Sequence, residues 1–309
     1  MNDSVEQAYA ACEAIARREA KNFYYAFLAL PKRKRAAVCA VYAFMRHADD
    51  LADDDHLPRE QRLLQSQQWL GDWHRVAAGE STSDPVFIAL RDAQRRFSIT
   101  TELLDQLVQG TMLDLTTPAA ANSFATYHTF DELYRYCYLV ASVVGLVCIR
   151  IFGYTEPRAE ELAEQTGIAF QLTNILRDIK EDAERGRMYL PLDDLEQHHV
   201  TVAQVVSNRS GQKLTPDERG LLAMEAERAR RYYRAAERLL PLISPDSRAA
   251  LWVLVTIYRR LLDRIEHMEY QVFSTRVTVP TAEKIWILSR GLLMAFRLRL
   301  TTKSSSAGA

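Results

Sequence analysis

Acidic side chains are crowded at the end of one predicted helix. Five aspartates stand within residues 49–55, and Asp49 and Asp53 are four residues apart, so one helix face carries both carboxylates. Negative charges at a helix C-terminus oppose the helix dipole as well as one another, and a cation should therefore offset them. Grouped carboxylate oxygens suit Mg²⁺, which completes its shell with water and substrate phosphates. The pattern predicts a magnesium site at this helix end.

The same helix face carries two further polar side chains. Tyr42 and Arg46 precede Asp49 by about two turns and one turn, so the four side chains form one stripe. An arginine beside metal-binding carboxylates is well placed to bind a phosphate with two hydrogen bonds. A solvated acidic helix end that runs into a loop is the competing interpretation, and it also accounts for Asp54 and Asp55.

A second polar stripe lies on a later helix. Gln171, Asn174, Asp178 and Asp182 are spaced by three, four and four residues, and apolar residues fill the positions between them. Asparagine is a poor helix former, and its carbonyl oxygen in line with two carboxylates reads as a third ligand for a hard cation. Arg177 is placed to reach a phosphate at the edge of this site. An ordinary amphipathic helix with a charged outer face is the alternative.

Taken together, the two stripes predict a site for a diphosphate. Two facing helices with carboxylates one turn apart can hold several Mg²⁺ ions, which would neutralise a departing diphosphate. The segment after the second stripe contains Arg185, Arg187 and Tyr189, which are expected to close over the site as a lid or else to form an exposed basic turn. Aromatic residues, Phe23 and Tyr136 among them, either stabilise a carbocation or belong to the core.

The elements that must position these stripes are helices. Gly and Pro together number 21 of 309 residues, and few helix breakers over this length favour long helices. No convincing strand or internal repeat appears. We predict a single all-α domain over residues 1–300 with a disordered tail at 301–309. Helical periodicity predicts helices over about 4–28, 33–54, 58–78, 83–97, 101–115, 129–152, 156–185, 216–240, 245–272 and 281–299.

Composition excludes several other classes of protein. A net charge of -1 argues against a nucleic-acid-binding surface. The four cysteines have no metal-site spacing and lie in apolar helical patterns, which favours a reducing cytoplasm. The N-terminus has no apolar signal region, and the most apolar run, 139–149, is too short to span a bilayer. We therefore predict a cytoplasmic protein.

Four long segments resemble the squalene/phytoene synthase family of head-to-head prenyl transferases. They are YAFMRHADDLAD, DELYRYCYLVASVVG, AFQLTNILRDIKEDAERGRMYLP and YRRLLDRIEHMEYQVFSTRV, in the family's order. The resemblance covers about residues 10–298 and implies the isoprenoid-synthase helical bundle around a central cavity. The segment NFYYAFLALP resembles bacterial presqualene diphosphate or squalene synthases of hopanoid pathways more than plant phytoene synthases.

The resemblance also implies roles for individual residues. Its Mg²⁺ ligands correspond to Asp49, Asp53, Asn174, Asp178 and Asp182, with Asp50 beside them. Its diphosphate-contacting or pocket-lining positions correspond to Lys21, Asn22, Phe23, Tyr42, Arg46, Gln171, Arg177, Tyr258 and Arg276. Tyr136 and Tyr189 match tyrosines near the reacting allyl groups, so we count them with Asp49, Asp53, Asp178 and Asp182 as catalytic. Val140, Ala141 and Val144 match positions that line the prenyl chain.

The reaction implied by the resemblance joins two farnesyl diphosphates into presqualene diphosphate, and on to squalene where NADPH supplies hydride. Phytoene synthase, which joins two geranylgeranyl diphosphates, is the nearest alternative. A non-catalytic assembly or binding factor is more remote, because the metal-ligand positions are all occupied by suitable residues. A cyclising terpene synthase would more typically carry an NDxxSxxxE motif, which is absent. The greasy substrate suggests loose peripheral contact with a membrane, and the sequence gives no evidence on oligomeric state.

Overall fold

The helical periodicity of the sequence becomes a bundle of α-helices. The computed structural model describes residues 3–116, 125–207, 213–273 and 276–306. The helices in these ranges are α1 (Asp3–Glu19), α2 (Lys21–Leu28), α3 (Lys32–Ala52), α4 (Arg59–Ala77), α5 (Pro85–Phe97), α6 (Thr101–Thr116), α7 (Phe130–Cys137), α8 (Val143–Phe152), α9 (Arg158–Glu184), α10 (Leu192–Gln197), α11 (Val202–Ser207), α12 (Pro216–Leu239), α13 (Arg248–His267) and α14 (Thr281–Ser306). Their apolar faces meet in one core, which confirms the predicted fold class.

The helix boundaries follow local capping chemistry in several places. Thr215 caps α12 by accepting a hydrogen bond from Glu218 N, and the Glu218 carboxylate accepts one from Thr215 N, so the pair forms a capping box. The predicted first helix is divided in two at Ala20. The helix expected from residue 245 begins instead at Arg248, because Ser244 O accepts hydrogen bonds from Ser247 N and Arg248 N in a preceding turn.

The segment between α9 and α12, expected to be non-helical, contains two short helices, α10 and α11, and one strand. Strand β2 (Arg187–Met188) pairs in parallel with β1 (Ala125–Thr126), with Ala125 opposite Arg187. This short pairing ties the chain that follows α9 to the chain that precedes α7. At the C-terminal end, α14 continues to Ser306, beyond residue 300 where we placed the end of the folded domain, and residues 307–309 lie outside the described ranges.

The most apolar helix of the chain is interrupted by a π-helical turn. Residues Tyr138–Ser142 form this turn between α7 and α8. Gly110 of α6 and Gly167 of α9 allow close approach on two sides. An added Cβ would lie 2.9 Å from Leu139 O at Gly110 and 2.5 Å from Ser142 Cα at Gly167. The two glycines therefore permit the π turn to pack between α6 and α9 at backbone distance.

The continuous helical stretch Phe130–Phe152 has 23 residues and, by length and composition, could cross a membrane; no other helix in the described ranges meets that test. Residues 139–149, the run that is too short to span a bilayer, are only part of this longer helical stretch. In the bundle, Leu133, Val143 and Val147 are buried, and Ser142 Oγ donates to Glu164 O of α9 at 2.7 Å. These contacts place the stretch in the core that surrounds the site.

Candidate active site

The first acidic stripe lies where α3 ends. Asp53 follows the last helical residue, and its N–H donates to Asp49 O at 2.9 Å, so the backbone holds the two residues one turn apart. Burial raises the pKa of Asp49 to about 7; Arg46 opposes this shift, whereas Asp53 and Asp50 add to it. A carboxylate with so unfavourable an environment for its charge is suited to a cation.

Arg46 and Asp50 form an ion pair on the exposed side of α3. This contact directs Asp50 to the arginine one turn before it. Arg46 Nε, however, is buried and has no hydrogen-bond partner among the described residues. A buried guanidinium nitrogen without an acceptor is costly, and a phosphate oxygen would satisfy it.

The second stripe lies along the C-terminal half of α9. Arg177 donates to both carboxylate oxygens of Asp178, with an Nε–Oδ1 distance of 2.7 Å. Arg276, more than 90 residues later in the chain, places Nη2 at 3.1 Å from Asp178 Oδ1. Burial raises the pKa of Asp182 to about 7, Asp178 adds to the shift, and Arg187 and Arg185 oppose it. Acidic and basic side chains thus converge on this face of α9.

Asn174 shows that this stripe fits a cation. Its Nδ2 donates to Gln171 Oε1 at 3.3 Å, while its Oδ1 is buried and has no hydrogen-bond partner in the described part of the chain. An orphaned buried carbonyl oxygen next to carboxylates is a ready ligand for a hard ion. No three His, Cys, Asp or Glu side chains of the described residues form a metal site by themselves. An ion here therefore needs Asn174, water or phosphate oxygens to complete its shell.

A cavity of about 230 Å³ lies against the first stripe. Its charged lining residues are Asp49, Asp53 and Arg187, and the rest of the lining comes from α3, α6, α7, α8 and the π turn. This uncharged lining includes Tyr136, Val140 and Val144, which the resemblance assigned to the reacting allyl groups and the prenyl chain, and also Met45, Ala52, Leu107, Gly110, Thr111 and Leu139. Charged and apolar side chains in the lining of one cavity suit an amphiphilic ligand with a charged head.

Arg187 connects the two stripes. It lines the 230 Å³ cavity together with Asp49 and Asp53, and it also lies in a small cleft with Asp182 and Tyr189. Its place in strand β2 is set by the pairing with β1. The lid hypothesis included this arginine, but the chain position alone did not relate it to both acidic groups.

Aromatic rings form two groups beside the stripes. Tyr136 and Tyr189 stack with ring centroids 4.8 Å apart, and Tyr127 lies 5.4 Å from the ring of Tyr136. Next to the second stripe, the ring of Tyr258 stacks on that of Phe170 with centroids 4.4 Å apart. The ring centroid of Phe23 lies 5.8 Å from that of Tyr258. Burial raises the pKa of Tyr258, so this ring stays neutral. Aromatic faces of this kind can stabilise a positive charge nearby.

The remaining predicted residues have more varied positions. Tyr42 is half-buried against the ring of Phe27 at 6.3 Å, and burial raises its pKa to about 12. Ala141 does not line the cavity; its backbone lies against Gly167 in the packing of the π turn. Lys21 and Asn22 are the first two residues of α2, and the structure describes their backbone but not their side chains.

Sequence reasoning missed several residues of the site. Gly110 and Thr111 of α6 line the cavity, and Glu181 of α9 pairs with Arg276 at 3.3 Å. The available signal for Gly110 was a small residue inside an apolar helical pattern, which commonly marks close packing. Glu181 lies one turn after Arg177, but its partner is distant in the chain and could not be inferred from spacing.

Comparison with known proteins agrees with this geometry. The sequence model of squalene/phytoene synthase matches residues 16–283. The chain is 36% identical over 301 residues to the phytoene synthase of Arthrospira platensis, covering 93% of each protein. Among solved structures, a dehydrosqualene synthase in complex with a ligand is similar with a TM-score of 0.81 and 30% identity, covering 97% of this chain and 98% of that one.

A squalene synthase from Alicyclobacillus acidocaldarius, HpnC, is also similar, with a TM-score of 0.78 and 27% identity over 87% of this chain and 97% of that one. These similarities confirm the all-α fold of squalene-synthase-like structures. The family match spans most of the chain and contains both acidic stripes, the aromatic groups and the π turn. This chain therefore belongs to the squalene/phytoene synthase family and is an enzyme of the prenyltransferase type.

Proposed function

We propose that this enzyme condenses two identical allylic diphosphates head to head, with Mg²⁺ as the cofactor and farnesyl diphosphate as the substrate. The single observation that carries the proposal is a cavity lined both by charged side chains (Asp49, Asp53 and Arg187) and by Tyr136, Val140 and Val144. A diphosphate head and a prenyl tail have the same division into charged and apolar parts.

Mg²⁺ would be held by Asp49 and Asp53 on α3 and by Asn174, Asp178 and Asp182 on α9. When bound, it supplies charge neutralisation of the diphosphate that leaves. Asp50, which is paired with Arg46, is the weakest of the predicted ligands. The buried Oδ1 of Asn174 supports a ligand at this position.

The basic side chains bind and orient the diphosphates. Arg177 and Arg276 contact Asp178, and Arg187 lies between the acidic groups, so a phosphate that enters meets guanidinium groups already held in place. Negative charge that develops on the leaving diphosphate is stabilised by these groups. Arg46, whose buried Nε has no partner among the described residues, would add a further donor beside the first stripe.

The apolar wall and the aromatic rings govern what happens next. Departure of the first diphosphate leaves an allylic cation, the double bond of the second substrate attacks it, and proton loss closes a cyclopropane. Tyr136 and Tyr189 are stacked beside this space and offer π faces to the cation. The departing diphosphate or a nearby tyrosine oxygen can accept the proton. The apolar lining excludes water, which would otherwise capture the cation.

Chain length distinguishes two candidate substrates. The segment NFYYAFLALP and the similarity to a dehydrosqualene synthase and a squalene synthase support a C15 substrate. Similarity to the phytoene synthase of Arthrospira platensis at 36% identity favours the second candidate, geranylgeranyl diphosphate with phytoene as product. Reduction to squalene would use NADPH as hydride donor. Cytoplasmic location and peripheral contact with a membrane belong to the same proposal.

The decisive assay supplies each diphosphate separately, with and without NADPH, and reads the products by mass spectrometry. A C30 product from farnesyl diphosphate supports the proposal. If only geranylgeranyl diphosphate reacts and gives a C40 product, it is the substrate instead of farnesyl diphosphate. EDTA should stop turnover and Mg²⁺ should restore it. Asp49→Ala and Asp178→Ala should each lower kcat by at least about 100-fold with unchanged helical content; nearly full activity in both variants would contradict the metal assignment.

A further inference from the structure

The outer face of α14 carries a row of exposed apolar side chains. Ile285, Leu292 and Phe296 are spaced by seven and four residues, which places them on one side of the helix. Trp286 and Leu293 widen this side. The exposed fractions are 51% for Ile285, 49% for Trp286, 44% for Leu292, 50% for Leu293 and 59% for Phe296. Apolar side chains grouped this way on a surface mark a site of contact with another protein or with a membrane.

The opposite face of α14 is fixed against the bundle. Ile287 is fully buried, and a Cβ added at Gly291 would lie 2.5 Å from Val253 Cγ2 of α13. Rotation of α14 to bury the outer row would therefore break this close packing. The apolar row, which we call the α14 outer face, is held outward by the fold.

Basic side chains lie beside the α14 outer face at two places. The sequence of α14 contains five Lys or Arg residues and one acid, Glu283, although the whole chain has a net charge of -1; Lys284 and Arg290 are the two whose side chains the structure describes. Glu283 is already paired with Arg264 at 2.6 Å. The Arg290 guanidinium lies 4.8 Å from the centre of the exposed Trp286 ring. At the other end, Lys32 shares a groove of about 400 Å³ with Leu292 and Phe296.

We propose that the α14 outer face docks the enzyme on an anionic lipid bilayer. Exposed Trp, Phe and Leu side chains insert at the boundary between headgroups and acyl chains, and flanking basic residues bind anionic headgroups. A second copy of the chain fits less well. A twofold contact through this face would bring two basic helices together, which charge repulsion opposes. The inference rests on the membrane contact named in the proposed function, which it assigns to one face, and it does not depend on the identity of the substrate.

Vesicle sedimentation tests this docking surface with the full chain. Wild-type protein should sediment with phosphatidylcholine vesicles that contain phosphatidylglycerol, less with phosphatidylcholine alone, and less again at high salt. The double variant Leu293→Glu with Phe296→Glu should lower binding to the anionic vesicles by about tenfold or more. Leu64→Glu is the matched control, because Leu64 is 54% exposed on α4, and it should bind like the wild type.

A second readout follows Trp286 directly. Anionic vesicles should shift the tryptophan emission of the wild type to shorter wavelength, and Trp286→Phe should lose most of that shift. Melting curves and circular dichroism verify that each variant is folded. Absence of binding to anionic vesicles, or equal binding by the double variant, would overturn the proposal. A dimer in solution that the double variant abolishes, without vesicle binding, would assign the face to a second copy instead.

Discussion

Individual side chains show the demands of the site before any ligand is considered. Burial makes the charged form of Asp49 and of Asp182 unfavourable, and each has like-charged neighbours. Asn174 leaves a buried carbonyl oxygen unpaired. In a protein optimised only for stability, such groups would be replaced or paired. Their presence together is a cost that a bound cation and diphosphate would offset.

Replacement of Asn174 should separate binding from stability. Asn174→Ala removes an oxygen with no partner in the described residues, one long hydrogen bond to Gln171 and a side-chain hydrogen bond to Tyr258, so the free energy of unfolding should fall by about 1 kcal/mol or less. The apparent affinity for Mg²⁺ with inorganic pyrophosphate, measured by the stabilisation that these ions give, should fall by at least about tenfold. Urea unfolding with and without these ions measures both quantities.

The neighbouring residue provides the matched control. Thr173 Oγ1 bonds Ala169 O at 2.8 Å and Tyr233 OH at 2.9 Å in the core. Thr173→Val should therefore destabilise the protein by about 1–3 kcal/mol and leave the affinity for Mg²⁺ and pyrophosphate intact. If Asn174→Ala destabilises as much as Thr173→Val and binds the ions normally, Asn174 has a structural role only.

A buried acid away from the site, Glu225, should add to the pH dependence of stability that Asp49 and Asp182 also produce. Burial raises the pKa of Glu225 to about 7; Arg228, at 2.7 Å, opposes the shift, and Asp194 adds to it. The unfolded chain loses this proton near the ordinary pKa of 4.5, whereas the folded protein keeps it until about pH 7. Stability from this group is thus present at low pH and is lost as pH rises through that window, by at most about 1.4 kcal/mol per pH unit.

Glu225→Gln should remove this contribution, because the amide does not titrate. Urea unfolding between pH 5 and 8 should give a flatter profile for the variant than for the wild type. Identical slopes for the two proteins would show that Glu225 is ionised throughout the range. Circular dichroism verifies that the variant retains its helices.

At the scale of elements, the π turn decides how close the helices approach the site. Gly110 and Gly167 accept the backbone of residues 138–142 from two sides, and Val140 within the turn lines the cavity. Without the extra residue of the π turn, every later side chain would be shifted around the helix axis by the angle of about one residue. A different set of side chains would then line the cavity. The periodicity of the sequence predicts a helix over 129–152 but contains no signal for the extra residue.

Gly167→Ala tests the role of this contact. The new Cβ would approach Ser142 Cα to 2.5 Å, and neither backbone can move freely, so we expect a loss of about 1–3 kcal/mol in stability together with lower kcat. Gly71→Ala in α4 is the control. Its Cβ meets nothing within 4 Å, and higher helix propensity should stabilise the protein by up to about 1 kcal/mol. Equal stability of both variants would contradict the close packing.

At the scale of the whole molecule, bound Mg²⁺ and pyrophosphate should connect the carboxylates of α3 with those of α9. Mg²⁺ and inorganic pyrophosphate together should raise the melting temperature, because they bind the folded enzyme and not the unfolded chain; at 100 times Kd the gain is about 2.7 kcal/mol. Either ion alone should give much less. Asp49→Asn and Asp178→Asn, one on each helix, should each abolish most of the shift. Retention of the shift in one variant would restrict the site to the other helix.

Much of the fold and part of the site were predictable from the sequence. Helical spacing within α3 and α9 depends on the 3.6-residue period alone, so the sequence predicts that Asp49 shares a face with Asp53, and Asn174 with Asp178. The pairing of Arg46 with Asp50 was not, because spacing alone leaves the choice of partner open among several neighbouring aspartates.

The sequence alone determined which side chains share a helix face and the chemistry that their types allow. Only the tertiary structure decided which faces meet. It brought Arg187 between the acidic groups through the β1–β2 pairing, placed Arg276 against Asp178, turned Ala141 toward Gly167 and left the outer face of α14 exposed. The physical reason is that helical periodicity is a local property, whereas these contacts depend on packing between residues far apart in the chain.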